Sequence, residues 1–382
     1  MKQLRRSTLL LLLALSLAAM FWACSEDPSN VASPEPENDL LAAVQAHQEE
    51  FEQAIAIHNR AVPGILSTKG IVGTAVGADD NGMPVIRIYT SGPIAKGPLP
   101  QDVGGLPIVI EETGEIKAYK GPGGGGGGGS SGQAPQSPPV KMGTSGGWRF
   151  DLANGFCCGG TLGSLVQKGG TKYVLSNYHV LYADIVNGGN SRTAQPGDPV
   201  IQPGLIDVQC NANNSLNIAS LVANGGTLPD PGNPDAVDAA IASVTSGMVD
   251  ETGAILNVGT ISASTRSATV GLAVKKMGRT TGLTRSTISG INGAFSIQYE
   301  NECAGGASFV QSYSGQIVIS NRRCNFQNGG DSGSLLVEDV TTNPRAVGLC
   351  FAGSVTCNNS AIAIANPIGD VLSKLGATMV GQ

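Results

Sequence analysis

The chain has 382 residues, of which 14% are charged, 4% are aromatic and 54 are glycine. Its formal net charge is −6, and no run of Lys and Arg follows the first few residues, which argues against nucleic acid as a partner. A composition this rich in glycine and poor in charge suits many short strands joined by turns, not a helical bundle.

The N-terminus pairs a basic "MKQLRR" with the apolar run "STLLLLLALSLAAMFWA", the pattern of a secretory signal peptide over residues 1–23. Cys24 follows at once, and this junction resembles the lipobox of bacterial lipoproteins, whose cysteine becomes the lipidated first residue. Ala23 fits that pattern, while Phe21 and Trp22 stand where it has leucine and a small residue. The resemblance implies a lipid anchor on Cys24 and a chain held outside the cytoplasm at the bacterial envelope, with ordinary secretion as the alternative. Removal of the leader takes Lys2, Arg5 and Arg6 with it and leaves the mature chain more acidic. The polar, proline-rich residues 24–38 read as a tether.

Residues 39–62 place Leu40, Leu41, Val44, Phe51, Ile55 and Ile57 among polar positions, which predicts an amphipathic helix. His47 and His58 on it read as solvated. From 68 to 120 the pattern changes to short apolar runs, with "DDNG" as a hairpin signal between the first two. Residues 39–120 therefore predict a small α+β module, serving as a propeptide, a regulatory cover or a partner-binding domain. The glycine run and proline-rich sequence that follow read as a linker over 121–144. A phosphate-cradling loop would need a GK[ST] ending and a helix after it, and neither is present.

From about residue 143, runs of four to eight apolar residues recur between Gly, Asn, Asp and Pro, an all-β signature of sandwich or barrel type over 145–382. Ile368, Val371, Leu372 and Leu375 have helical spacing and predict a closing helix. Cys157, Cys158, Cys210, Cys303, Cys324, Cys350 and Cys357 all lie in this half; none forms a CxxC zinc pair, so disulfides are expected. Spacing suggests Cys350–Cys357 and Cys303–Cys324, with Cys210 joined to Cys157 or Cys158. No cofactor or metal motif is present.

"NGGDSGSLL", Asn328 to Leu336, sets a serine among glycines before an apolar run. A serine hydroxyl becomes a useful nucleophile only when a base takes its proton and a carboxylate orients that base. The β-rich half holds a single histidine, His179, at the end of the run "TKYVLSNYHV". Asp238 immediately precedes another such run in "NPDAVDAAIASV"; Asp235, three residues earlier in a turn, competes with it.

The order His179, Asp238, Ser332 and the sequences around them resemble the trypsin-like serine peptidases of chymotrypsin fold. "CCGGTLGSLV" is similar to their strand ahead of the histidine, "VLSNYHV" to their histidine segment, "VDAAIA" to their aspartate strand and "GGDSGSLL" to their nucleophile loop. "VKKMGRTTGLTRSTISGI" looks like a strand-turn-strand of bacterial and plant relatives of narrow-leaf type. The resemblance spans roughly residues 145–376. It implies a double six-stranded β-barrel with the triad in the cleft between barrels, and hydrolysis of a protein or peptide substrate. Ser332 would be the nucleophile, His179 the base and Asp238 its orienting acid. The amides of Gly330 and Ser332 would form the oxyanion hole, and Asp331 would secure the loop through a buried partner. In the family that partner is commonly a newly released N-terminus; no activation sequence is evident here, so the partner of Asp331 stays open.

Val180 replaces the family's cysteine after the histidine, so the usual bridge to the "CGG" cysteine is absent. The positions expected to floor the specificity pocket, Asn325, Phe326 and Gln327, carry no charge, and Phe326 and Phe351 hint at an apolar or small pocket. A catalytically silent binding or adhesion lipoprotein on the same scaffold is the alternative. An esterase on an α/β-hydrolase sheet would need G-x-S-x-G and the chain order Ser, Asp, His, neither of which holds.

Overall fold

The computed structural model describes residues 36–94, 102–118, 131–153, 156–182, 193–227, 236–299 and 308–382. The leader, most of the tether, Cys24 and the glycine run therefore lie outside the described residues, as do Asp235 and Cys303. Among the described residues no helix is long and apolar enough to cross a membrane.

The N-terminal part opens with two helices, α1 (Pro36–Ala46) and α2 (Gln48–Leu66). Glu49 and Glu50 in the first turn of α2 complement the positive end of its dipole. Its buried face carries Phe51, Ala54, His58 and Ile65. His58 lies on the apolar stripe, seven residues after Phe51, and is therefore buried rather than solvated as expected. Strands β1 (Ile71–Ala78) and β2 (Pro84–Thr90) form the expected hairpin around "DDNG"; β4 (Leu106–Glu112) runs parallel to β2, and the short β3 (Asp102–Val103) caps that edge.

The first barrel is built from β6 (Thr144–Trp148), β9 (Gly160–Leu162), β10 (Ser164–Lys168), β11 (Thr171–Ser176), β12 (Pro199–Gln202), β13 (Leu216–Thr227) and β14 (Ala239–Val244). β9 and β10, separated by Gly163 alone, act as one bent strand. The pairing order β10-β11-β14-β13-β12-β6-β9 then returns to its starting point and closes a six-stranded ring, with β23 (Thr378–Met379) added to β10. Small hairpins β7 (Leu152–Ala153) with β8 (Phe156–Cys157), and β15 (Ala254–Ile255) with β16 (Gly259–Thr260), stand apart from it.

The second barrel comprises β17 (Ala273–Gly278), β18 (Gly282–Tyr299), β19 (Phe309–Ser320), β20 (Leu335–Glu338), β21 (Ala346–Ser354) and β22 (Ile362–Pro367). Its order β17-β20-β21-β22-β19-β18 closes through β17–β18 pairing. Val274, Ile288, Ile319, Leu336 and Val347 fill one of its cores. The architecture is all-β, a double β-barrel of chymotrypsin type, finished by α4 (Ile368–Leu375). That helix buries Ile368, Val371 and Leu375 and ends on Gly376 at φ 63°, whose N–H returns to the carbonyls of Leu372 and Ser373.

The N-terminal strands do not stand alone. β1 pairs antiparallel with β18, at Gly73↔Phe295 and Val76↔Ile291, so the module continues the second barrel's sheet. Residues 37–382 form one compact unit. Residues 131–144, read as linker, are in part packed: Val140 and Met142 are fully buried and bridge to Val249 and Ile255. The physical reason is exposed pairing capacity: the long β18–β19 hairpin offers an edge that the module's strands fill.

Two disulfides are resolved between described residues, Cys157–Cys210 and Cys324–Cys357, with Cα separations of 5.5 and 5.0 Å. The first agrees with expectation. The second corrects both other pairings: Cys350 sits mid-strand in β21 with its side chain in the core, out of reach of Cys357 beyond the strand end, and remains a free thiol. Cys324 is thereby unavailable to Cys303. Cys158 is bridged as well.

Candidate active site

β11 ends at Ser176, and Asn177 keeps an extended conformation before the single turn α3 (Tyr178–Leu181). This delivers His179 to the end of the strand, buried to 2% exposure. Asp238, at the start of β14, lies beside it because β11 and β14 pair, with Ser176 opposite Ala240. His179 Nδ1 and Asp238 Oδ2 are 2.5 Å apart, and the His179 amide donates to Oδ1 at 3.3 Å. An ionised carboxylate only accepts, so Nδ1 carries the proton and a neutral ring leaves Nε2 as an acceptor. Nε2 is buried without a hydrogen-bond partner among the described residues.

Neutral amides fix the backbone of Asp238. Asn177 Nδ2 donates to its carbonyl at 2.7 Å, and Asn366, from β22 of the other barrel, both donates to that carbonyl and accepts from the Asp238 amide, each at 3.3 Å. Asp235 lies outside the described residues.

Ser332 is on the loop before β20, 4% exposed. The amide of Thr161, on β9, donates to its carbonyl at 2.8 Å, and its own Oγ donates to Phe351 O at 3.1 Å. The histidine turn and the serine loop meet over Gly160: a Cβ there would lie 2.6 Å from Val180 Cγ2 and 2.9 Å from Ser332 O. Ser332 Oγ is thus turned to β21 rather than bonded to the imidazole.

The loop's shape depends on two glycines with positive φ, Gly330 at 93° and Gly333 at 95°. A Cβ on Gly330 would lie 2.6 Å from Thr280 Oγ1, and one on Gly333 would lie 2.2 Å from both Ser176 Oγ and Thr161 O. The amides of Gly330 and Ser332 have no acceptor among the described residues. Asp331 between them is fully buried. It accepts from the amides of Thr280, Thr281 and Asn328 and from Thr281 Oγ1, and the Lys276 ammonium of β17 lies 3.4 Å from Oδ2. The partner left open by the sequence is a lysine on a neighbouring strand.

Beside Ser332 a small pocket is lined by Gln327, Asn328, Phe351, Ala352, Gly353 and Lys117. Gln327 Nε2 donates to Ala352 O at 2.9 Å, and its buried Oε1 has no partner among the described residues. Gln327 and Asn328 thus give the pocket a polar, uncharged side, and Lys117 is the charged residue in its lining. Phe326, expected to line it, instead faces the core with its ring 5.6 Å from Lys276 Nζ.

Lys117 belongs to β5 (Ile116–Ala118), the module's last strand. β5 pairs antiparallel with the end of β21, Lys117 opposite Gly353 and Ile116 opposite Ser354, and parallel with β18, Ala118 opposite Tyr299. Lys117, Lys276 and Tyr299 escaped sequence reasoning, whereas Gln327 was among the positions expected at the pocket floor. For Lys276 a signal existed, since a lysine inside an apolar strand demands a buried counter-charge.

A family model described as the Nal1 C-terminal domain matches residues 214–367. Among solved structures, the chain is similar to a glutamic-acid-specific serine protease described as using a histidine triad in substrate binding (18% identity, TM-score 0.41, 63% of this chain and 100% of that chain). It is similar as well to Thermobifida fusca protease A (20%, 0.40, 64% and 99%) and to Cellulomonas bogoriensis chymotrypsin (20%, 0.38, 64% and 99%). No curated protein matches the sequence significantly.

Proposed function

We propose that the protein is an exported serine endopeptidase, lipid-anchored through Cys24, whose N-terminal module restrains access to its cleft. The observation that carries this reading is the buried Asp238–His179 hydrogen bond, which leaves Nε2 unpartnered where the Ser332 loop meets the histidine turn. In the reaction, Ser332 Oγ leaves Phe351 O and attacks the scissile carbonyl carbon while His179 Nε2 takes its proton. Asp238 holds the imidazole tautomer and stabilises the imidazolium. The negative oxygen meets the amides of Gly330 and Ser332, each such donor contributing about 3–4 kcal/mol. His179 then protonates the leaving amine, and water hydrolyses the acyl-enzyme by the reverse sequence. The disulfides fit a chain that matures outside the cytoplasm.

β5 supports the regulatory part. An extended peptide recognised by strand addition would use the β21 edge that Lys117 and Ile116 cover. The test is labelling by a fluorophosphonate probe, in the intact chain and in a Lys117→Pro variant whose pairing with β21 is weakened by the loss of one donor. Ser332 is expected to be labelled, faster in the variant, with no label on Ser332→Ala. Absence of label from both folded proteins would sink the peptidase reading and favour a silent binding protein.

A further inference from the structure

Asp238 takes a third side-chain contact that the histidine does not supply. Tyr299 Oη, at the end of β18, donates to Asp238 Oδ2 at 2.8 Å. Tyr299 Oη also touches Tyr313 Oη of β19. Because the carboxylate only accepts, the Tyr299 proton points to Asp238, and the proton between the phenols must come from Tyr313. The hydroxyls form a directed chain, Tyr313 to Tyr299 to Asp238, ending at the oxygen that His179 Nδ1 contacts. Both tyrosines are essentially buried, at 2% and 1% exposure.

The rings fix this chain in place. Tyr299 stacks on Phe309 with centroids 5.1 Å apart and meets His179 edge-on at 5.9 Å; Tyr313 packs against Phe351 at 4.9 Å. Phenylalanine would fill both positions without the cost of burying a hydroxyl. The hydroxyls are therefore explained by the acceptor they serve. Resting on the peptidase reading above, we propose that Tyr299, backed by Tyr313, is a positioning residue of the triad: it pins Asp238 Oδ2 and tempers the charge that this oxygen presents to His179.

The titratable groups facing Asp238 are His179, Tyr299, Tyr313 and, further away, Tyr178. Burial first, and then the Asp238 carboxylate, push all three phenols above their ordinary value, Tyr299 and Tyr313 well above it. They stay protonated wherever a peptidase would be assayed, so the donor chain persists there.

The test compares the full-length protein with Tyr299→Phe and Tyr313→Phe. Without the Tyr299 hydroxyl the carboxylate carries more charge toward the ring, and the ring holds its proton to higher pH. The acidic limb of kcat/KM is expected to move up by about half a unit, and kcat to fall about tenfold with KM nearly unchanged, the size of one hydrogen bond to a charged group. Tyr313→Phe should act in the same direction and less, and it carries the test if Tyr299→Phe does not fold. A second readout needs no turnover. The chain has 3 histidines, so the His179 Nδ1–H resonance can be assigned in labelled protein and should shift in Tyr299→Phe. An unmoved limb and an unmoved resonance would overturn the proposal. Inactivity of the wild type with a shifted resonance would overturn the peptidase reading alone.

Discussion

Lys276 and Asp331 face each other with both side chains wholly buried, Nζ lying 3.4 Å from Oδ2. The lysine also reaches Thr281 Oγ1 and the carbonyl of Gly282, so its protons are used within the turn that Asp331 organises. An internal cation thus stands against the carboxylate that organises the loop of Gly330 and Ser332. Lys276→Met would strand the carboxylate, at a cost of about 3–5 kcal/mol for breaking a buried pair from one side. Urea unfolding should show that loss. The double variant Lys276→Met/Asp331→Asn should recover part of it, and a lack of coupling would refute the pairing.

The β5 strand predicts an asymmetry between two ways of disabling the module. Lys117→Pro removes one donor from the β21 edge and should raise turnover of a peptide substrate about tenfold, the value of roughly one backbone hydrogen bond. Deleting residues 25–140 should instead cost folded yield, because it strips β1 from β18 and removes the core around Val44, Phe51, Ile86 and Ile88 that also buries Val270. Unchanged yield and activity on deletion would show that the module neither supports nor covers the barrel.

His58 links the module to the barrel. Its Nε2 contacts Thr74 Oγ1 at 3.2 Å, and Asn292 Nδ2, from β18, donates to Nδ1 at 3.1 Å. Thr74 spends its own proton on Arg87 O, so Nε2 carries the hydrogen and Nδ1 must stay bare. Burial lowers this histidine from 6.5 to about 4. Its stabilisation is complete above 6.5, where neither state is protonated. It is lost as pH falls toward 4, because the unfolded chain takes the proton first, and below that no more is lost. The full effect is about 3 kcal/mol. Urea midpoints between pH 4 and 7 should fall more steeply for the wild type than for His58→Gln; parallel curves would contradict this.

Cys350 should be chemically silent. Burial, the largest cause, pushes its thiol up to about 12, so almost no thiolate is present near neutral pH. Native alkylation followed by mass spectrometry should leave it unmodified, and modification only after unfolding is the expected pattern. Loss of Cys324–Cys357, which spans 33 residues, should lower stability by about 3 kcal/mol in Cys324→Ala/Cys357→Ala.

Much of this protein was legible from the sequence alone, for a local reason. Alternating short apolar runs and turn residues mark strands wherever they fold, and His179, Asp238 and Ser332 each stand at the junction of such a run with a turn. The closing helix and the "DDNG" hairpin were readable in the same way, since their periodicity lies within one segment. Tertiary structure decided what depends on contacts between distant segments. Tyr299 donates to a carboxylate 61 residues away, Lys276 finds Asp331 across a barrel, and Cys324 prefers Cys357 because the Cys350 side chain points into a core. His58 shares the apolar stripe with Phe51, but its polar ring reads as solvated until the strands that cover that stripe, with Thr74 and Asn292, are in place. The place of the module was hidden for the same reason: an unpaired strand edge is a property of a finished sheet, and only the folded β18–β19 hairpin provides the edge on which β1 pairs and the seat beside Ser332 where β5 lies.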